Sequence, residues 1–256
     1  MKPKKSLGQN FLKSISVLNR IVGAGEVSKD DIILEIGPGK GILTEKLLEK
    51  SNHVIAVEKD RELFYFLQNK FSKEIEEKKL ILIKDDILKF DIQKMDCEFF
   101  GNYKIIANIP YNITGAILKK FLSEKDKPKS MTLMIQKEVA ERIMARDGKE
   151  SLLSISVKAY GEPKILFKVS RGNFYPSPKV DSTVIAIKNI SRKIFIENNI
   201  DEEKFWEIIR AGFAHKRKKL SSNLKSSMSK TGLDILGNKR AEELTLKDWI
   251  DLAKML

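Results

Sequence analysis

The chain has 256 residues, 42% of them hydrophobic, enough for a proper core as one α/β domain or as one domain with a smaller companion. A formal net charge of +13 points to a polyanionic partner, nucleic acid or anionic lipid. No apolar run approaches the roughly 18 residues a bilayer span needs, Met1 to Lys5 leads into polar residues, and Cys97, His53 and His215 form neither a disulfide nor a metal set; a cytoplasmic protein without metal, by default a monomer, is expected.

Short apolar runs alternate with helix-period segments through the first two thirds, the pattern of a doubly wound parallel sheet covered by helices on both faces. In chain order the spacing predicts a helix over Ser14 to Ala24, a strand over Ile32 to Ile36, a helix over Gly41 to Lys50 and a strand over His53 to Glu58. A helix over Arg61 to Phe71 follows, then strands at Leu80 to Ile83 and Lys104 to Ala107, a helix over Thr114 to Leu122, a strand at Met131 to Gln136 and a helix over Lys137 to Ala145. After a turn at Gly161-Glu162-Pro163, Lys164 to Val169 and Val180 to Lys188 read as an antiparallel pair at one sheet edge. Past Ile190 the strand pattern stops, and Phe205, Trp206, Ile209, Phe213, Leu233, Leu236, Leu244, Trp249 and Leu252 read as the core of a small all-α domain. The expected boundaries are 1–189 and 190–256. Residues 192–256 carry 14 basic and 10 acidic side chains, so the positive surplus is spread over both parts.

Glu35-Ile36-Gly37-Pro38-Gly39-Lys40-Gly41 lies between the first of the sheet strands and its helix, where glycines permit a tight turn and close backbone approach to a ligand. Glu58, ending the second strand, is placed to take two ribose hydroxyls, and Asp86, just past the third, to accept from an adenine amino group. A glycine loop and one acid fit NAD as well as S-adenosylmethionine. The spacing Gly-x-Gly-x-Gly with Pro38 inside departs from the fingerprint that seats a pyrophosphate, which favours S-adenosylmethionine over a dinucleotide. Each feature has a bland alternative: glycine turns after strands are common, Asp85-Asp86 could cap a following helix, and Glu35 could anchor the loop by accepting backbone N–H groups.

The fourth strand runs out into Asn108-Ile109-Pro110-Tyr111. An Asn carbonyl oxygen and the carbonyl preceding a proline can accept both protons of a planar amine, and a Tyr ring offers a face for a base. Phe174, in the loop before the last strand, is the second stacking candidate. Lys216-Arg217-Lys218-Lys219, with Lys2, Lys4 and Lys5, reads as a phosphate-contacting set, against the plain alternative of a solvated helix face.

These residues carry a resemblance that runs nearly the whole chain. Lys5-Ser6-Leu7-Gly8-Gln9-Asn10-Phe11-Leu12 resembles the amino-terminal signature of the ribosomal RNA adenine dimethyltransferases, and Asn108 to Tyr111 their catalytic motif. Phe174-Tyr175-Pro176-Ser177-Pro178-Lys179-Val180-Asp181-Ser182 resembles their target-base loop. Gly212 to Leu220 is similar to the basic segment of their helical domain, except that His215 stands where Gln or Arg is more usual and Lys219 where Thr is. The resemblance implies a Rossmann-like fold with an antiparallel edge, and S-adenosylmethionine as donor. It implies a donor site lined by Gln9, Asn10, Phe11, Leu12, Gly37, Gly39, Gly41, Glu58, Asp86, Ile87 and Asn108, with Gln9 and Phe11 closing over it. RNA contacts are expected at Lys4, Lys5, Lys179 and Lys216 to Lys219. The implied reaction is dimethylation at N6 of two adjacent adenosines near the 3′ end of small-subunit rRNA, on free RNA or an immature subunit. A large-subunit rRNA enzyme of the antibiotic-resistance type and a non-enzymatic assembly factor are the competing readings, with an NAD-dependent oxidoreductase disfavoured.

Overall fold

The computed structural model describes residues 3–4, 7–95, 101–225 and 236–255. Lys2, Lys5, Cys97 and Leu233, named above, lie outside the described residues. Nine strands are described: β1 (Phe11–Leu12), β2 (Ile32–Ile36), β3 (His53–Glu58), β4 (Leu80–Lys84), β5 (Tyr103–Asn108), β6 (Ser130–Gln136), β7 (Glu162–Val169), β8 (Phe174–Tyr175) and β9 (Ser182–Lys188). Between the first six run α1 (Ile15–Ala24), α2 (Ile42–Leu48), α3 (Arg61–Lys70), α4 (Ser72–Glu76) and α5 (Thr114–Ser123). Thereafter come α6 (Lys137–Met144), α7 (Leu152–Lys158), α8 (Lys193–Asn198), α9 (Glu202–Gly212), α10 (Leu220–Asn223) and a helix at Leu246–Ala253.

Seven strands form one sheet in the order β4-β3-β2-β5-β6-β9-β7. The first five are parallel, and β9 pairs antiparallel with both β6 and β7. β2 is buried along its whole length because helices cover both faces, which is why it reads Ile-Ile-Leu-Glu-Ile, apolar but for the buried Glu35. Chain order reverses between β2 and β5, so their carboxyl ends flank the crevice where such sheets bind ligands. The turn expected at Gly161-Glu162-Pro163 is shorter than that: Glu162 and Pro163 already belong to β7, and an edge strand tolerates a proline that cannot donate.

A second, two-stranded sheet pairs β1 with β8, Phe11 opposite Tyr175 and Leu12 opposite Phe174. Leu12 and Phe174 belong to the same core cluster as Leu18, Ile33, Leu47, Leu67 and Ile106.

The chain divides into two compact units, Met1–Ala140 with Glu162–Ile190, and Glu141–Gly161 with Ser191–Leu256. Residues 141–161, read above as part of the first domain, therefore group with the later helices. The cause is visible in the second unit's own contacts: Tyr160 stacks on Trp206, accepts its indole N–H at 2.9 Å and donates to Glu202, while the Glu150 N–H donates to the Glu242 carbonyl at 2.8 Å. Phe205, Ile209, Leu244, Trp249 and Leu252 are buried there, as the helical period implied.

Candidate functional site

A cavity opens at the carboxyl ends of β2 to β5, and the loops that leave those strands line it. Gly37, Pro38 and Gly39 line it from β2, Glu58 and Lys59 from β3, Asp86 and Ile87 from β4, and Asn108 to Tyr111 from β5. The arm ahead of α1 covers another side with Gln9, Asn10, Phe11 and Leu12. The expected donor-site residues are thus brought together, with one exception. Gly41 has φ +73° and opens α2, but a Cβ there would stand 2.5 Å from the Phe71 ring and 2.7 Å from Leu67. It is bare so that α2 can pack against the α3–α4 region, and it does not line the cavity.

Gly39, at φ +61°, faces Phe11, whose ring would lie 3.1 Å from an added Cβ. The aromatic ring of the arm therefore rests on the glycine's open face, and Lys40 Nζ stands 5.1 Å from the ring centroid. The amides of the loop's three glycines are already engaged. The Gly37 N–H donates to the Val57 carbonyl at 3.0 Å, that of Gly39 to Glu58 Oε2 at 3.0 Å, and that of Gly41 to the Pro38 carbonyl at 2.9 Å. A pyrophosphate needs such groups unengaged. Their engagement suits a nucleoside ligand without phosphates.

Glu58 is 5% exposed and is held by two backbone donors, Gly39 on Oε2 and Asp60 on Oε1, the latter at 2.8 Å. Each oxygen keeps a lone pair for a ribose hydroxyl. Burial raises its pKa against the lowering effect of those amides. Glu35, one strand over, is 2% exposed and accepts the Thr44 hydroxyl at 2.7 Å, so it ties β2 to α2 through a side chain instead of gripping the loop's backbone amides. Desolvation, with the Thr44 bond opposing and the Glu58 charge adding, pushes its pKa up to about 8.

Asp86 accepts from Lys59 Nζ at 2.8 Å and from the Leu88 N–H at 3.0 Å, and the Lys59 contact leads in holding its carboxyl below the usual range. No helix follows it: Asp85-Asp86 shapes a turn, with the Asp86 carbonyl accepting from Lys89 and Phe90. Asn108 donates its Nδ2 to the Asn10 carbonyl at 3.3 Å, so the arm's backbone sets the amide and leaves Oδ1 as its acceptor. Tyr111 is half-buried, its hydroxyl 2.5 Å from that of Ser182.

Phe174 departs from expectation. It is 2% exposed, packed in the core and turned inward by the β1–β8 pairing, so it offers no open face to a base in this structure. The basic candidates divide as well. Lys179 is exposed, and Lys216, Arg217, Lys218 and Lys219 are exposed on the turn between α9 and α10, not on a helix face. Lys219 Nζ donates to Asn238 Oδ1 at 3.0 Å. Lys4 is committed to Asp60 and Glu62, at 2.9 and 3.1 Å. Missed from sequence were Leu7 and Gly8 on the arm and Asn112 beyond Tyr111, all lining the cavity. Gly8, at φ +64°, would press a Cβ to 3.1 Å from Asn112 Oδ1, a close approach its place inside the signature could have suggested.

A doubly wound sheet with acids at successive strand ends, a glycine loop whose Gly37, Gly39 and Gly41 amides are engaged within the protein, and an Asn-Ile-Pro-Tyr corner defines an S-adenosylmethionine-dependent methyltransferase. The profile of the family described as "Ribosomal RNA adenine dimethylase" matches residues 1–256. The chain belongs to this family. A "Ribosomal RNA small subunit methyltransferase A" of Dehalococcoides mccartyi is 39% identical over 261 residues, covering 97% of this chain and 87% of that protein. One from Fusobacterium nucleatum is 37% identical over 264 residues, covering 99% and 97%. Among solved structures, a dimethyladenosine transferase from Plasmodium falciparum superposes with TM-score 0.78 at 28% identity, covering 94% of this chain and 95% of that one. The 23S rRNA methyltransferase ErmE shares the fold, with TM-score 0.73 at 23% identity over 96% and 99%.

Proposed function

We propose that this chain transfers methyl groups from S-adenosylmethionine to N6 of two adjacent adenosines in a hairpin loop near the 3′ end of small-subunit rRNA, giving N6,N6-dimethyladenosine. The observation that carries the reading is the Asn108 to Tyr111 corner opening into the same cavity as Glu58 and the Gly37–Gly39 turn. The small-subunit target is supported by the names of the relatives from Dehalococcoides mccartyi and Fusobacterium nucleatum.

Bound there, S-adenosylmethionine supplies a methyl group already activated by its positive sulfur. Glu58 would take the ribose hydroxyls, Asp86 the adenine amino group and Ile87 an adenine face, while Gly37, with no side chain closer than Pro110, would allow close approach. Gln9, Asn10, Phe11 and Leu12 cover the ligand and exclude water.

An adenine N6 lone pair is delocalised into its ring and is a poor nucleophile until the amine is held out of plane. Asn108 Oδ1 and the Ile109 carbonyl accept its two protons, with Pro110 fixing the direction of the latter, and so aim the lone pair. Tyr111 stacks on the extruded base, an interaction worth about 1–3 kcal/mol. No general base is required, because the methylated ammonium loses its proton to water. Lys179 and Lys216 to Lys219 contact RNA phosphates.

The test is incubation with labelled methyl donor and deproteinised small-subunit rRNA, immature small subunits or large-subunit rRNA, followed by nucleoside analysis. N6,N6-dimethyladenosine from the small-subunit material is the expected product. Label on large-subunit rRNA alone would move the assignment to the other branch, and no label on any RNA would overturn it.

A further inference from the structure

Asp60 stands two residues past Glu58 and caps α3, accepting the Glu62 N–H at 2.9 Å. Capping alone does not explain it. Ser14, Ser151 and Thr245 cap helices with hydroxyls, and Asp201 does so from an exposed position, whereas Asp60 is 3% exposed. A carboxylate so enclosed requires partners for its charge.

Those partners come from the arm. Lys4 Nζ donates to Oδ1 at 2.9 Å and Gln9 Nε2 to Oδ2 at 2.9 Å. Gln9 cannot turn its amide over without loss, because its Oε1 accepts the Lys4 N–H at 2.7 Å. Burial alone would raise the Asp60 pKa, yet the bonds from Lys4, Gln9 and Glu62 hold it below the carboxylate range, so the clasp is a charged one. From Gln9 the arm passes directly to Asn10, whose carbonyl receives Asn108 Nδ2, and to Phe11 on Gly39.

We propose that Asp60 is a positioning residue for methyl transfer: through Gln9 and Lys4 it clasps the arm across the cavity, and the clasped arm holds the Asn108 amide in its working orientation. This rests on the reading of the cavity as the S-adenosylmethionine site. Asp60 touches neither donor nor substrate in the scheme; it acts through the arm.

Asp60→Asn tests this in the full chain. The amide oxygen can still cap α3, but the new NH2 group meets donors on the arm where an acceptor stood. Three readouts apply: trypsin cleavage after Lys4, Lys5 or Lys13, the dissociation constant of S-adenosylhomocysteine, and the single-turnover transfer rate at saturating donor and RNA. About tenfold faster arm cleavage, about tenfold weaker ligand binding and a reduced single-turnover rate are expected, on the scale of one lost bond to a charged group. Should Asp60→Asn fail to fold, Gln9→Leu leaves the cap intact and is read by arm cleavage. Unchanged cleavage and an unchanged single-turnover rate in a folded variant overturn the clasp. If instead the wild type takes up neither S-adenosylmethionine nor its product, the cofactor reading fails, while the cleavage assay still decides whether Asp60 fastens the arm.

Discussion

The hydroxyls of Tyr111 and Ser182 lie 2.5 Å apart, joining the Asn108–Tyr111 corner after β5 to the last residue of the Phe174–Ser182 segment. Ser182 is fully buried at the start of β9. The bond therefore fixes the Tyr111 ring at the cavity from behind, while burial raises the phenol pKa despite the Ser182 contact.

Tyr111→Phe keeps the ring but leaves the Ser182 hydroxyl without this partner, which costs about 1–3 kcal/mol of stability. Tyr111→Ala also removes the stacking face, worth about 1–3 kcal/mol. Denaturant midpoints should fall for both variants, whereas kcat/KM for RNA should fall steeply for Tyr111→Ala and little for Tyr111→Phe. Equal activity losses in the two would take the ring out of base recognition.

Asn108→Ala removes one of the two acceptors for the amine, and its loss of transfer should be on the order of 100-fold or more. Donor binding, measured calorimetrically, should stay close to wild type. An unchanged turnover would remove Asn108 from the reaction.

The exposed turn after α9 should act on RNA alone. Lys218→Glu with Lys219→Glu reverses two charges, so RNA affinity should fall and the slope of log affinity against log salt should flatten by about two phosphate contacts. Donor affinity should not move. Equal RNA binding at matched salt would refute the patch.

Glu35 makes stability depend on pH. Its folded pKa of about 8 lies above the ordinary 4.5, so the native state holds a proton that the unfolded chain releases between those values. The contribution is fully present below about pH 4.5 and is lost as pH rises through about 8, at most about 1.4 kcal/mol per pH unit. Glu35→Gln retains an acceptor for the Thr44 hydroxyl and cannot ionise. Urea midpoints at pH 5, 7 and 9 should decline less in the variant than in the wild type, and parallel declines would disprove the assignment.

Much of this architecture was legible because the signals were long and local. β2 and β3 span the residues expected of them, and the acids at the strand ends needed only strand order to converge. What stayed hidden was set by distant partners. β1 and β8 have two residues each, too few for a period, and which of Phe174 and Tyr175 turns inward depends on pairing with residues more than 160 positions earlier. α7 carries Ile155 and Val157 in a strand-like alternation, and its capping box uses Ser151 with Ser154 instead of a glutamate. Its grouping with the later helices rests on Tyr160, Trp206 and Glu242, contacts that no local window contains. Asp60 carried no signal of its own, because two of its three side-chain partners, Lys4 and Gln9, lie more than 50 positions earlier on the arm.

The β1–β8 pairing gives Phe11 and Leu12, which line the cavity, and Phe174 and Tyr175 a common ribbon of hydrogen bonds. Displacing the arm strand therefore breaks these bonds or carries the Phe174–Tyr175 segment along with it, so the two sides of this corner move as one piece.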